Sequence, residues 1–107
     1  MTSYRKYRNI PTEVDGIRFA SKKEANRYSE LKLLVLAGRI SKLEIHPQIA
    51  LMVNGMKIGK YTADFRYREN GESVLEDVKS KATKTRDYIL RKKILSTYTP
   101  PIFIRET

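Results

Sequence analysis

The chain has 107 residues, the size of one domain, and 40% of them are hydrophobic, enough for a single compact core. It has no cysteine and one histidine, which excludes a disulfide scaffold and argues against zinc, so any metal would be a hard, oxygen-liking ion such as Mg²⁺ or Mn²⁺. Lys and Arg number 22 against 12 Asp and Glu, a net charge of +10 that favours a polyanion, most simply nucleic acid.

Small basic proteins also include ribosomal and architectural ones, so charge names the class of partner and not an activity. No apolar run approaches the ~18 residues of a membrane span. No basic start with an apolar segment marks a secretory signal, so the expectation is a cytoplasmic protein without a membrane partner.

Residues 1–12 read as a basic arm, with Arg5, Lys6 and Arg8 interleaved with Tyr4 and Tyr7 before Pro11. Residues 13–107 read as one domain, in which 14–19 form a short hairpin or turn. Ser21 followed by Glu24 is a capping-box pattern and starts a helix running to about Ala37, where Gly38 supplies the stop. Tyr28, Leu31 and Val35 share its apolar stripe. Glu24 lies at the end of that stripe, so its carboxylate serves either the cap or the sheet.

Residues 43–53 read as a strand, and Asn54-Gly55 signals a hairpin into a second strand, 60–68. Asn70-Gly71 signals another hairpin, into a third strand, 73–79, completing an antiparallel meander. A two-residue loop there pairs Glu69 with Glu72, puts Asp64 opposite Asp77, and puts Thr62 opposite Lys79. A three-residue loop with a bulge would break this register. Opposed carboxylates at roughly 5 Å, with an effective dielectric of about 20, repel by on the order of 3 kcal/mol. A divalent cation between them removes that cost. Lys79 alternates onto the face of Asp77, so two acids and an ammonium converge as in a metal-dependent active site. The competing reading is a solvated sheet face carrying ordinary charges.

Glu76 would replace Asp77 as ligand only if the register shifted. Gln48 would reach the site only if Gly59 marks a bulge. His46, alone before Pro47, reads as structural. Tyr61, Phe65 and Tyr67 alternate on the face opposite the acids and should pack under a helix; exposed, they would suit single-stranded RNA.

Beyond Lys79, residues 79–93 hold seven basic side chains against Asp87 alone. Thr83 or Thr85 can cap a second helix reaching about Thr97, with Tyr88, Leu90, Ile94, Leu95 and Tyr98 as its apolar arc. Pro100-Pro101 ends it, and Ile102-Phe103-Ile104 reads as a final strand. Phosphate contacts are expected from Arg5, Lys6, Arg8, Lys22, Lys81, Lys84, Arg86, Lys92 and Lys93.

Three stretches, 14–25 with Ser21-Lys22-Lys23-Glu24-Ala25, 61–65 with Thr62-Ala63-Asp64, and 74–79 with Glu76-Asp77-Val78-Lys79, resemble the PD-(D/E)XK nuclease superfamily. The likeness is greatest to short phage-encoded endonucleases akin to Holliday-junction resolvases. Ala63 stands where the motif's name has Pro, a position that carries no chemistry. The resemblance implies an α/β (α+β) restriction-endonuclease-like core in the order α-β-β-β-α-β, with a mixed sheet flanked by helices. It implies Glu24, Asp64, Asp77 and Lys79 as catalytic residues. Mg²⁺ (or Mn²⁺) would be held by Asp64, Asp77 and the Val78 carbonyl, with Glu24 on a second ion or its water. The expected function is Mg²⁺-dependent endonucleolytic cleavage of junction or branched DNA in phage recombination or processing. The expected protein is a homodimer without an organic cofactor, in the bacterial host cytoplasm. The alternatives are a non-catalytic DNA-binding module on a nuclease fold and an RNA-binding or ribosome-associated protein.

Overall fold

A computed structural model describes residues 10–79 and 84–107. Strands β1 (Thr12–Val14) and β2 (Ile17–Phe19) form the first hairpin, turning at Asp15 (φ 54°) and Gly16 (φ 76°). Thr12 thus belongs to the domain, and residues 1–9 of the expected arm lie outside the described residues.

Helix α1 (Lys22–Leu36) starts where the capping pattern places it: Ser21 Oγ accepts the Glu24 N–H at 3.1 Å. It stops at Ala37, and Gly38 takes the left-handed φ of 73° that a terminal glycine allows. Glu24, Ala25, Tyr28 and Leu31 are buried. Val35 is exposed, and in the last turn Leu34 packs against the core instead.

The expected meander is present, but creased. The first run is two strands, β3 (Ser41–Ile45) and β4 (Gln48–Val53), and the second is β5 (Met56–Thr62) and β6 (Phe65–Glu69). Pairing keeps one register across the break, with Ile45 opposite Phe65 and Gln48 opposite Thr62. Between them the His46 N–H donates to the Asp64 carbonyl and the Ala63 N–H to the Pro47 carbonyl. His46 has a φ of 54° and Pro47 lacks an N–H, so the ladder bends here instead of running straight. Thr62 consequently belongs to the separate β4–β5 hairpin and does not pair with Lys79. The Lys79 N–H donates instead to the Thr107 carbonyl.

Strand β7 (Glu72–Asp77) pairs with β6 in the two-residue-loop register, Glu69 opposite Glu72 and Phe65 opposite Glu76. Helix α2 (Arg86–Ser96) is capped by Thr85, whose hydroxyl accepts the Tyr88 N–H. Leu90 on α2 is exposed, leaving Tyr88 and Leu95 as its buried residues. The last strand, β8 (Ile104–Glu106), starts two residues later than the apolar run suggests and pairs parallel with β7. The four-stranded sheet, in the order β3-β6-β7-β8, is therefore mixed. The molecule is a small compact α+β domain, with two helices among the described residues. None of its described helices is long and apolar enough to cross a membrane.

Two cores lie on opposite sheet faces. Phe19, Tyr28, Leu31, Phe65 and Tyr67 pack with α1, and Leu51, Tyr61, Ala63, Leu75, Tyr88 and Leu95 pack with α2. The crease sends Tyr61 to the second core and Phe65 and Tyr67 to the first, so all three rings are buried.

Candidate functional site

The crease and the end of β7 meet at Asp64 and Asp77. The Asp64 N–H donates to Asp77 Oδ1 at 2.8 Å, and the Val78 N–H donates to Asp64 Oδ2 at 2.7 Å. Each carboxylate thus receives a backbone donor beyond the last β6–β7 pair, which fixes both side chains. Asp77 is 2% exposed, and its Oδ2 has no hydrogen-bond partner. Burial pushes both carboxyls up to about 6, against the pull of those N–H donors and of Lys79; Glu24 pushes both further up.

Glu24 enters from the first turn of α1. Its N–H is capped by Ser21, but its carboxylate does not complete the box: it meets His46 Nε2 at 2.9 Å. One ligand atom each from Glu24, His46 and Asp64 lie within 4.8 Å of one another. His46 therefore joins the acids, although the sequence reads it as structural. The signal that could have found it is a His-Pro pair midway along a long strand-like run, where a bend is expected.

The Lys79 ammonium stands 4.2 Å from the centroid of the Tyr88 ring. The Tyr88 hydroxyl donates to Glu106 Oε2 at 2.6 Å, and Lys84 and Lys92 each reach Glu106 at 3.1 Å. The Tyr88 hydroxyl, with the two ammoniums, holds the Glu106 carboxyl down at about 2. Lys79 also has its backbone carbonyl bonded by the Lys23 ammonium, so α1 and α2 both grip the end of β7.

The remaining candidates divide. Lys22, Arg86 and Lys93 are exposed, while Lys84 and Lys92 are paired with Glu106. Arg5, Lys6, Arg8 and Lys81 lie outside the described residues. Val78 contributes its N–H to Asp64, and its side chain packs against the α1 core. Glu76 points to the opposite face, fully buried, where Arg27 donates Nε at 2.7 Å and Nη2 at 3.0 Å and Tyr67 donates at 2.5 Å. It is a structural ion pair. Gln48 is exposed and makes no hydrogen bond to the acids among the described residues; the β4–β5 register slips beyond Gly59, on the far side of Leu51 from it.

The donor set suits a divalent cation. Two carboxylates and an imidazole, from Glu24, Asp64 and His46, converge, and the buried Oδ2 of neighbouring Asp77 lacks any donor to balance it, a state that a cation relieves.

A family model described as "Protein of unknown function (DUF1064)" matches residues 4–102, so the chain belongs to that family. Neither the curated proteins nor the solved structures include a match.

Proposed function

We propose that this member of the family is a divalent-metal-dependent endodeoxyribonuclease built on a PD-(D/E)XK-like core, with Mg²⁺ or Mn²⁺ as cofactor. The observation that carries the reading is the unpartnered Asp77 Oδ2, buried beside Asp64 and Glu24 and next to Lys79. Asp64 and Asp77 would hold the ion, with His46, Glu24 and the Val78 carbonyl as further candidate donors.

When bound, the ion supplies Lewis-acid polarisation of a phosphate and a lowered pKa for attacking water. The chain's own residues do the rest. The N–H groups of Asp64 and Val78 hold the two carboxylates in place without reorganisation. Lys79, steadied on Tyr88, balances the negative charge that grows on the phosphoryl oxygens or orients the attacking water. Glu24 is the acid that orients water, and its contact with His46 sets its direction. The net charge of +10 draws in the DNA backbone, with salt-dependent affinity. Junction or branched DNA is the favoured substrate, in phage recombination or processing in the host cytoplasm, and cutting two strands suits a two-fold dimer. Burial of Tyr61, Phe65 and Tyr67 disfavours single-strand RNA stacking on these strands.

The test is cleavage of labelled four-way-junction, splayed-arm and linear duplex DNA with Mg²⁺, Mn²⁺ or EDTA, beside Asp77→Asn. Metal-dependent cleavage that the variant loses supports the nuclease. Tight binding with no cleavage under any ion leaves a DNA-binding module.

A further inference from the structure

Beside the acids, and sharing Lys79 with them, a cleft of about 540 Å³ opens between β5 and the first turns of α2. That volume lies within the range of small-ligand sites, about 300–1,000 Å³. Its walls carry Lys60, Tyr61, Lys79, Tyr88, Arg91 and Asp87. Three of these are cations, and the one carboxylate, Asp87, is already paired with Arg91 Nε at 3.0 Å. Arg91 Nη1 donates to the Lys60 carbonyl at 2.8 Å, which fixes the guanidinium against β5. Lys60 is exposed and forms no ion pair among the described residues. Tyr61 is 5% exposed, and its hydroxyl is buried with no hydrogen-bond partner. Such a hydroxyl is costly unless something supplies an acceptor.

We propose that this cleft is a phosphate subsite of the DNA backbone, adjoining the scissile phosphate, with Lys60 and Arg91 as its charges and Tyr61 as its hydroxyl donor. A ligand for this wall must present several acceptor oxygens and a negative charge, and a phosphodiester does both. Lys79 spans the two sites: it bounds the cleft and also pulls on the charges of Asp64 and Asp77. A strand whose scissile phosphate meets the acids would thus lay its neighbouring phosphate against Lys60. This assignment rests on the reading of DNA as the partner, and none of Lys60, Tyr61 and Arg91 is among the phosphate contacts expected from the sequence.

The experiment measures binding of a fluorescein-labelled branched DNA in EDTA across a salt series, using the full chain. Lys60→Ala should lower the slope of log K against log salt by about 0.7–0.9, the loss of one phosphate contact. Tyr61→Phe should weaken binding about five- to tenfold with the slope unchanged. Lys42→Ala, remote on β3, is the charge control and should leave the slope as in the wild type. Equal slopes for Lys60→Ala and Lys42→Ala, with Tyr61→Phe binding as tightly as wild type, would overturn the subsite. Orthophosphate that binds the wild type but not Lys60→Ala, and leaves the DNA bound, would assign a free-anion site instead, and also overturn it. The nuclease reading fails separately: slope loss in a protein that cuts nothing with any ion keeps the cleft and removes the enzyme, and cleavage with unchanged slopes does the reverse.

Discussion

Replacing Asp77 by Asn should make the metal-free protein more stable at neutral pH, the opposite of the usual effect of changing a residue only 2% exposed. Burial raises this carboxyl from 3.8 to about 6, so its charged form is disfavoured in the folded state. A raised acid costs stability in full above about pH 6, and the cost fades as pH falls toward 3.8 and is gone below it, where folded and unfolded forms are both protonated. A shift of that size corresponds to about 3 kcal/mol at neutral pH. Asn keeps Oδ1 to accept the Asp64 N–H, and its new amide replaces the unpartnered oxygen. Allowing about 1 kcal/mol for imperfect pairing of that amide leaves a gain of about 2 kcal/mol. For a domain of this size that is on the order of 10 °C in Tm. The assay is thermal unfolding in EDTA at neutral and acid pH, then with Mg²⁺ or Mn²⁺ added. The gain should shrink at acid pH, and added ion should raise the wild type's Tm far more than the variant's. A variant less stable than wild type at neutral pH, or a gain independent of pH, would refute the reasoning.

Two further substitutions probe the side chains that support Glu76 and Lys79. Arg27→Met strips the bidentate partner from fully buried Glu76 and should cost about 3 kcal/mol in urea unfolding, while a loss below about 1 kcal/mol would show that Tyr67 and Thr107 suffice. Tyr88→Leu removes the ring under Lys79 and should lower the cleavage rate about tenfold, whereas Tyr88→Phe keeps the ring and should fall by far less; equal losses would place the effect in the Glu106 hydrogen bond.

Local chemistry made much of this fold legible. The Ser21 cap, the Gly38 stop and the Asn70-Gly71 loop each act within a few residues, and each appears where the sequence places it. The facing of Asp64 and Asp77 follows from that loop alone. What alternation could not reveal was the crease. A two-residue period carried through 60–68 puts Tyr61 with Phe65, yet a bend at His46-Pro47 and Ala63-Asp64 sends them to different cores. The same bend unpairs Thr62 from Lys79 and brings in His46, a consequence of tertiary geometry. Glu106 and Tyr88 escaped for a similar reason. Their contact joins a strand to a helix eighteen residues away, and no local pattern encodes it.

The crease itself can be tested apart from the chemistry it serves, because His46 carries both. Its φ of 54° is a left-handed conformation that Asn tolerates and a β-branched residue does not. His46→Asn should therefore keep the bend and the metal-free Tm within a few degrees, while losing the imidazole that meets Glu24. His46→Val should lose both, with about 1–2 kcal/mol of added strain lowering the Tm even in EDTA. Under the proposed function, His46→Asn should bind Mn²⁺ about tenfold more weakly, read as a smaller Mn²⁺-induced rise in Tm. If Asn destabilises as much as Val, the imidazole contact and not the backbone holds the bend. If Asn leaves the Mn²⁺ response intact, His46 is only a hinge, and the ion belongs to the three acids.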